Sequence, residues 1–174
     1  VLVLGSVSVV WWQQDQARAS REAGLRQQLA EEQRASADAA RLARNAGVKR
    51  YVLPSSASIY GYQNGKANET SPTNPLTVYA KANERTEGEV LAMAGGDFVT
   101  TVLRQATVYG FSRRMRFDLA INGMTYGCWK NGRLPIMRDG KQYRPMIHVQ
   151  DTTDLMLYLL TCPPEKINGE IFNV

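Results

Sequence analysis

The side chains best suited to chemistry sit in a few short runs. Tyr51-Val-Leu-Pro-Ser55-Ser56 is an apolar run that ends on two hydroxyls and continues into Ala57-Ser-Ile-Tyr60-Gly61. Tyr79 closes Pro75-Leu-Thr-Val-Tyr79, with Asn83 and Glu87 spaced after it. Further on come Leu103-Arg104-Gln-Ala-Thr-Val-Tyr-Gly110, Asp139-Gly140, Arg144-Pro-Met-Ile-His148-Val-Gln-Asp151 and Phe172-Asn173-Val174. A tyrosinate can take the proton from a hydroxyl undergoing oxidation if nearby positive charge favours its ionised form. A serine or threonine hydroxyl bonded to the same oxygen helps to position it. Taken singly, Tyr79 reads as an ordinary helix tyrosine, and Ser55 and Ser56 as residues of a strand-end turn.

Other chemistries are excluded or disfavoured. The only cysteines, Cys128 and Cys162, make no disulfide framework, and with the single histidine His148 they give no cluster of soft metal ligands. His148 titrates in the useful range, but its apolar neighbours suggest a packed strand residue. The net charge of +5 favours anionic partners. The basic residues are dispersed apart from Arg113, Arg114 and Arg116, and no nucleic-acid-binding motif accompanies them, so a phosphate-bearing small ligand is expected rather than nucleic acid. No apolar run approaches the roughly 20 residues that span a bilayer. Val1 to Trp12 lacks a basic leader and a cleavage site, so no membrane contact is expected and cytosol is the expected compartment.

The elements that must hold these residues alternate. Val1 to Gly5 reads as a buried strand ending at a glycine turn, and Gln13 to Ala46 as a helix anchored by Leu25, Leu29 and Leu42. Tyr51 to Ser56 predicts a strand, Gly61 to Pro75 a loop, and Leu76 to Ala94 a helix with Glu84, Arg85, Glu87 and Glu89 on a polar face. Phe98 to Leu103 predicts a strand, Phe117 to Trp129 a helix, and Leu134 to Met137 and Met146 to Val149 short strands. Asp151 is placed to cap a helix from Thr152 to Leu160, and Glu170 to Val174 is a last strand. The alternation implies an α/β fold with a mostly parallel sheet.

From about Gly47 to Val174 these motifs, in this order, resemble the NAD-dependent epimerase/dehydratase family, the extended short-chain dehydrogenase/reductases that act on nucleotide sugars. The resemblance implies a Rossmann-type sheet with helices on both faces, residues 1–110 as a dinucleotide-binding core incomplete in its N-terminal half, and 111–174 as substrate-binding elements and returning strands. It also implies NAD rather than NADP, no metal, and a nucleotide-diphosphate sugar as substrate. A homodimer through the helix bearing the tyrosine would also fit. By this resemblance Tyr79 is the base and Ser56 the positioning hydroxyl, with Asn83 beside them. Gly5, Ser55, Tyr79 and Asn83 fall on the cofactor side, and Ser56, Ala57, Asp118 and Arg144 on the substrate side.

The departures matter as much. The family's Tyr-x-x-x-Lys has Asn83 in the lysine position, and Lys81 points to nearly the opposite side of a helix. Without that charge, activity is expected to be slow or shifted to alkaline pH. The glycine fingerprint that lets a backbone approach pyrophosphate is missing, since Gly5 is followed next by Gly24. The N-terminal half therefore reads as shortened or replaced, and the last family helices are not matched. Ala57 and Ser58 stand where 4,6-dehydratases carry an Asp-Glu pair, which favours a 4-epimerase or a reductase over elimination of water. Asp118 stands where relatives carry asparagine near the phosphates, and a carboxylate there would repel them. It would then serve as a partner of Arg116 or Arg144. Trp11 and Trp12 read as apolar surface, or as a ligand platform. The rival reading is a non-catalytic binding module of the same fold.

Overall fold

The computed structural model describes residues 3–174 except 135, 137, 138 and 142, and leaves aside the side chains of 3–14, 25, 29, 32 and 33. Helix α1 runs Val3–Asn45, β1 Arg50–Ser56, a 3-10 turn Ala57–Tyr60, α2 Val78–Leu91, β2 Val99–Gln105 and β3 Thr107–Tyr109. Then follow α3 Ala120–Asn131, β4 Met146–His148, α4 Val149–Leu159, α5 Pro164–Ile167 and β5 Glu170–Asn173. The main sheet has the order β1-β2-β5, all parallel, and β3 pairs with β4 in a separate parallel ladder. The expected parallel α/β architecture is therefore present.

Parallel strands are covered on both faces, and β2 shows how. Val102, with Leu53 of β1 opposite it in register, packs with Ala40 of α1 and Val90 of α2. On the other face Val99 and Leu103 pack with Leu159 and Cys162 of the α4 end and Ile167 of α5. Alternation along one strand thus sorts its residues between two helical layers. Pro54 lacks a ladder donor and lies on β1, an edge of this sheet, where proline is tolerated. Arg50 opens β1 and donates to the carbonyls of Cys162 at 2.6 Å and Leu159 at 3.3 Å, a cation at the C-terminal end of α4.

The N-terminal expectation is overturned. Val3 onward is not a strand ending at Gly5; it is the start of a 43-residue helix, about 65 Å long at ~1.5 Å per residue. A strand there would need a neighbour for its N–H and C=O groups, whereas a helix satisfies them internally. The Ala-, Gln-, Arg- and Glu-rich stretch favours helix, and the first proline is Pro54, so nothing stops propagation through Gly5 and Gly24. The turn that a cofactor role for Gly5 required is not formed. Leu42 is no anchor, being 68% exposed; small Ala37 and Ala40 make the buried face instead. The side chains of Leu25, Leu29, Trp11 and Trp12 lie outside the described residues.

Smaller corrections have local causes. The α4 cap is His148 rather than Asp151: its Nδ1 accepts from the Gln150 N–H at 3.2 Å, and Asp151 falls in the first turn. Leu134 and Ile136 are not in a strand, and Pro135 and Met137 lie outside the described residues. Glu87 is not on a polar face of α2; it is 3% exposed.

Thr100 on β2 is fully buried, and its Oγ1 has no hydrogen-bond partner. A buried hydroxyl without a partner costs about 1–3 kcal/mol. Thr100→Val, which keeps the branched shape, should therefore raise the urea midpoint, with a gain of about 1 kcal/mol.

Candidate active site at the end of the parallel sheet

Ser55 and Ser56 end β1, and the pleat separates them. Ser55 is buried and faces α2, with its Oγ donating to Glu87 Oε1 at 2.5 Å. Ser56 is half-buried, and its Oγ accepts from the Ser58 N–H at 3.2 Å, which starts the 3-10 turn. That bond uses an oxygen lone pair and leaves the Ser56 hydroxyl hydrogen free to donate. Ala57 follows as the first residue of the turn.

Tyr79 lies in the first turn of α2, which Thr77 caps by accepting from the Ala80 N–H at 3.0 Å. Tyr79 is 47% exposed. Asn83 folds back along the helix and donates to the Tyr79 carbonyl at 2.9 Å, while Lys81 is exposed. Its Oδ1 and second N–H are not used by that bond.

The residues that sequence reasoning left on the periphery form the centre. Arg104 donates to Glu87 from Nη2 at 2.9 Å and from Nε at 3.1 and 3.3 Å, with side chains 7% and 4% exposed. Its Nη1 donates to Tyr60 Oη at 2.8 Å, and Tyr60 donates in turn to Asn173 Oδ1 at 2.7 Å. The guanidinium carbon also lies 5.0 Å from the centre of the Tyr60 ring. Burial disfavours the Arg104 charge, but the bonds to Glu87 and Tyr60 outweigh it and hold the pKa above its ordinary value. The signal was available: Ser55, Tyr60, Glu87, Arg104 and Asn173 all belong to the motif runs quoted above.

A loop residue closes this network from outside. Glu69 accepts the Asn173 N–H at 2.7 Å, and that bond holds its carboxyl below the ordinary value. The Asp118 carboxylate is likewise held low, by Arg116 at 2.5 and 3.1 Å, and Arg144 is not its partner. Asp118 in turn holds Arg116 above its ordinary value; burial opposes this, and the Tyr79 phenol adds a smaller push upward. Arg144 is exposed.

An apolar groove of about 380 Å³ runs between Tyr109, Phe111 and α3. Phe117, Tyr126 and Trp129 line it, with ring centres 4.9 and 6.0 Å apart in sequence. Gly110 at φ 116° packs against His148, where a Cβ would fall 2.6 Å from Nε2. A larger cleft of about 740 Å³ lies between α1 and α2 and is lined by Arg41, Arg44, Arg85 and Glu89. Its α2 residues Arg85 and Glu89 lie two positions either side of Glu87, so it opens on the opposite face of that helix. Among the described residues, no group of His, Cys, Asp and Glu could hold a metal ion, and no helix is long and apolar enough to cross a membrane.

Comparison with known proteins gives a consistent match. The sequence profile of the NAD dependent epimerase/dehydratase family matches residues 17–174. An uncharacterized UDP-glucose epimerase, YtcB of Bacillus subtilis (strain 168), is 28% identical over 134 residues, 75% of this chain and 40% of that protein. The structure of MoeE5 in complex with UDP-glucuronic acid and NAD is 26% identical with a TM-score of 0.72, over 80% of this chain and 46% of that one. The UDP-glucuronic acid 4-epimerase from Bacillus cereus, in complex with UDP-glucuronic acid and NAD, is 25% identical with a TM-score of 0.61, over 72% and 39%. The chain spans less than half the length of each of these relatives.

Because Glu69 titrates to a lower value in the folded chain, its bond contributes stability above the ordinary value of 4.5 that is lost as pH falls through the folded pKa. In urea unfolding at a series of pH values, the native chain should exceed Glu69→Gln at neutral pH, with the difference shrinking as the solution is acidified through the carboxylate range.

Proposed function

Because the chain belongs to the NAD dependent epimerase/dehydratase family, we propose that it acts on a nucleotide-diphosphate sugar, with Tyr79 as base and Ser56 as positioning hydroxyl. The reaction would be a hydride transfer at a sugar carbon. One observation carries this reading: the free hydroxyl of Ser56 ends a parallel strand whose preceding residue is bonded to the helix that presents Tyr79.

NAD, when bound, supplies the hydride acceptor. Its nicotinamide side fits the residues present, with Tyr79 partly exposed and Asn83 keeping an amide oxygen and an N–H for a ribose hydroxyl. Its pyrophosphate side fits less well, because α1 is helical through Gly5 and Gly24 and the turn expected after Gly5 is not formed.

Tyr79 removes the proton from the hydroxyl being oxidised, and Ser56 donates to the same oxygen and fixes its direction. Ala57 and Ser58 provide no carboxylate for elimination, which favours epimerisation or reduction over dehydration. The exposed Arg144 guanidinium suits the diphosphate. The Asp118 charge is offset by Arg116, so its repulsion of a phosphate is reduced. The aromatic groove along α3 offers flat faces for the base of the nucleotide.

A second reading, a binding module without catalysis, is favoured by the continuous α1 and by Asn83. Isothermal titration with NAD separates the two. The enzyme reading expects a Kd of roughly micromolar or tighter, or NAD carried through purification and detected by mass spectrometry. No heat up to millimolar NAD removes the oxidoreductase reading. If epimerisation of a nucleotide sugar is detected, Asn83→Lys should shift the pH–rate profile toward neutrality and raise the rate there.

A further inference from the structure

We propose that Glu87 and Arg104 are positioning residues: acting through Ser55 and Tyr60, they fix the strand end that carries Ser56 against the helix that carries Tyr79. The proposal rests on the roles given to Ser56 and Tyr79, although the geometry stands apart from them.

Tyr79, Asn83 and Glu87 follow one another at i, i+4 and i+8, so they share a face of α2. Glu87 is eight residues along, about 12 Å down the axis from Tyr79 at ~1.5 Å per residue. A helix is stiff over that length, so any slide or rotation of α2 at Glu87 reaches Tyr79 undiminished. The apolar contacts of α2, through Ala80, Ala82 and Val90, are small and non-directional, and they tolerate such movement.

The carboxylate does not tolerate it. Oε1 takes the Ser55 hydroxyl and Oε2 takes the Arg104 Nη2–H, with Nε shared between them. Ser55 and Arg104 are directly opposite in the β1–β2 register. Hydrogen bonds to both oxygens from two strands fix height and rotation together.

The same arginine also holds the far side of Ser56. Through Nη1 it bonds Tyr60, which ends the 3-10 turn, and Tyr60 bonds Asn173 of β5. Ser56 is therefore bracketed along the chain by Ser55 before it, tied to Arg104 through the Glu87 carboxylate, and by Tyr60 after it, bonded to the guanidinium directly. Neither Glu87 nor Arg104 needs to touch a ligand to control where Ser56 and Tyr79 meet.

The test is a distance distribution between spin labels on exposed neighbours of the two residues, Ser58→Cys and Lys81→Cys, in a Cys128→Ser background. Circular dichroism first establishes conditions in which every variant is folded. Glu87→Ala and Arg104→Lys should broaden the distribution and move its maximum, and Glu87→Gln, which keeps an acceptor for Ser55, should do so less. Leu103→Ala, a core deletion on the opposite face of the sheet, should lower stability without broadening. If the Glu87 and Arg104 variants give the parent distribution, or change it no more than Leu103→Ala, the pair is merely structural and the proposal fails. NAD titration of the same samples keeps the two questions apart. Broadening without NAD binding removes the cofactor reading alone, and NAD binding with unchanged distances removes the positioning role alone.

Discussion

Glu87 and Arg104 face each other at 2.9 Å between a helix and a sheet, almost fully out of water. Taking two charges into that environment costs several kcal/mol per ion, and their attraction compensates only where the remaining hydrogen-bonding capacity is used. Here it is used: Ser55 completes the carboxylate, and Tyr60 takes an Arg104 N–H that the carboxylate does not reach. The arrangement makes β1, β2, α2, the 3-10 turn and β5 interdependent, since losing any partner leaves a charge or a donor stranded. Apolar packing on the two faces of β2 provides the bulk of the burial, while the polar network determines which alignment of helix and sheet is allowed.

That constraint explains why the candidate site is coherent despite its departures. Ser55 and Tyr60 on either side of Ser56, and Glu87 on the helix that carries Tyr79, all belong to the network, while Asn83 brings no charge and α1 is continuous through Gly5 and Gly24. The network joins residues of four separate motif runs, whereas the segment around Gly5 is part of a continuous helix.

What the sequence disclosed follows from the same physics. The strand at Arg50–Ser56, the helix around Tyr79 and the last strand at Glu170–Asn173 were legible because apolar runs and glycine stops mark them locally. Val1 to Gly5 misled because a short apolar run has no intrinsic preference for strand over helix, and only a neighbouring strand could have decided it. Glu87 misled for the opposite reason. Among Glu84, Arg85 and Glu89 it looks like one more solvated charge, and its burial depends on Arg104, a partner 17 residues away on another element. The His148 cap was hidden likewise, because Asp151 is the commoner capping residue type.

A double-mutant cycle on Glu87 and Arg104, read by urea unfolding, tests the central claim most directly. If the pair organises the structure, Glu87→Gln and Arg104→Met should each cost about 3–5 kcal/mol by leaving a buried partner unpaired. The double variant, with no stranded charge, should then be far less destabilised than the sum of the two. Single substitutions that cost little and simply add would contradict the account, and would leave apolar packing alone to align α2 with the sheet.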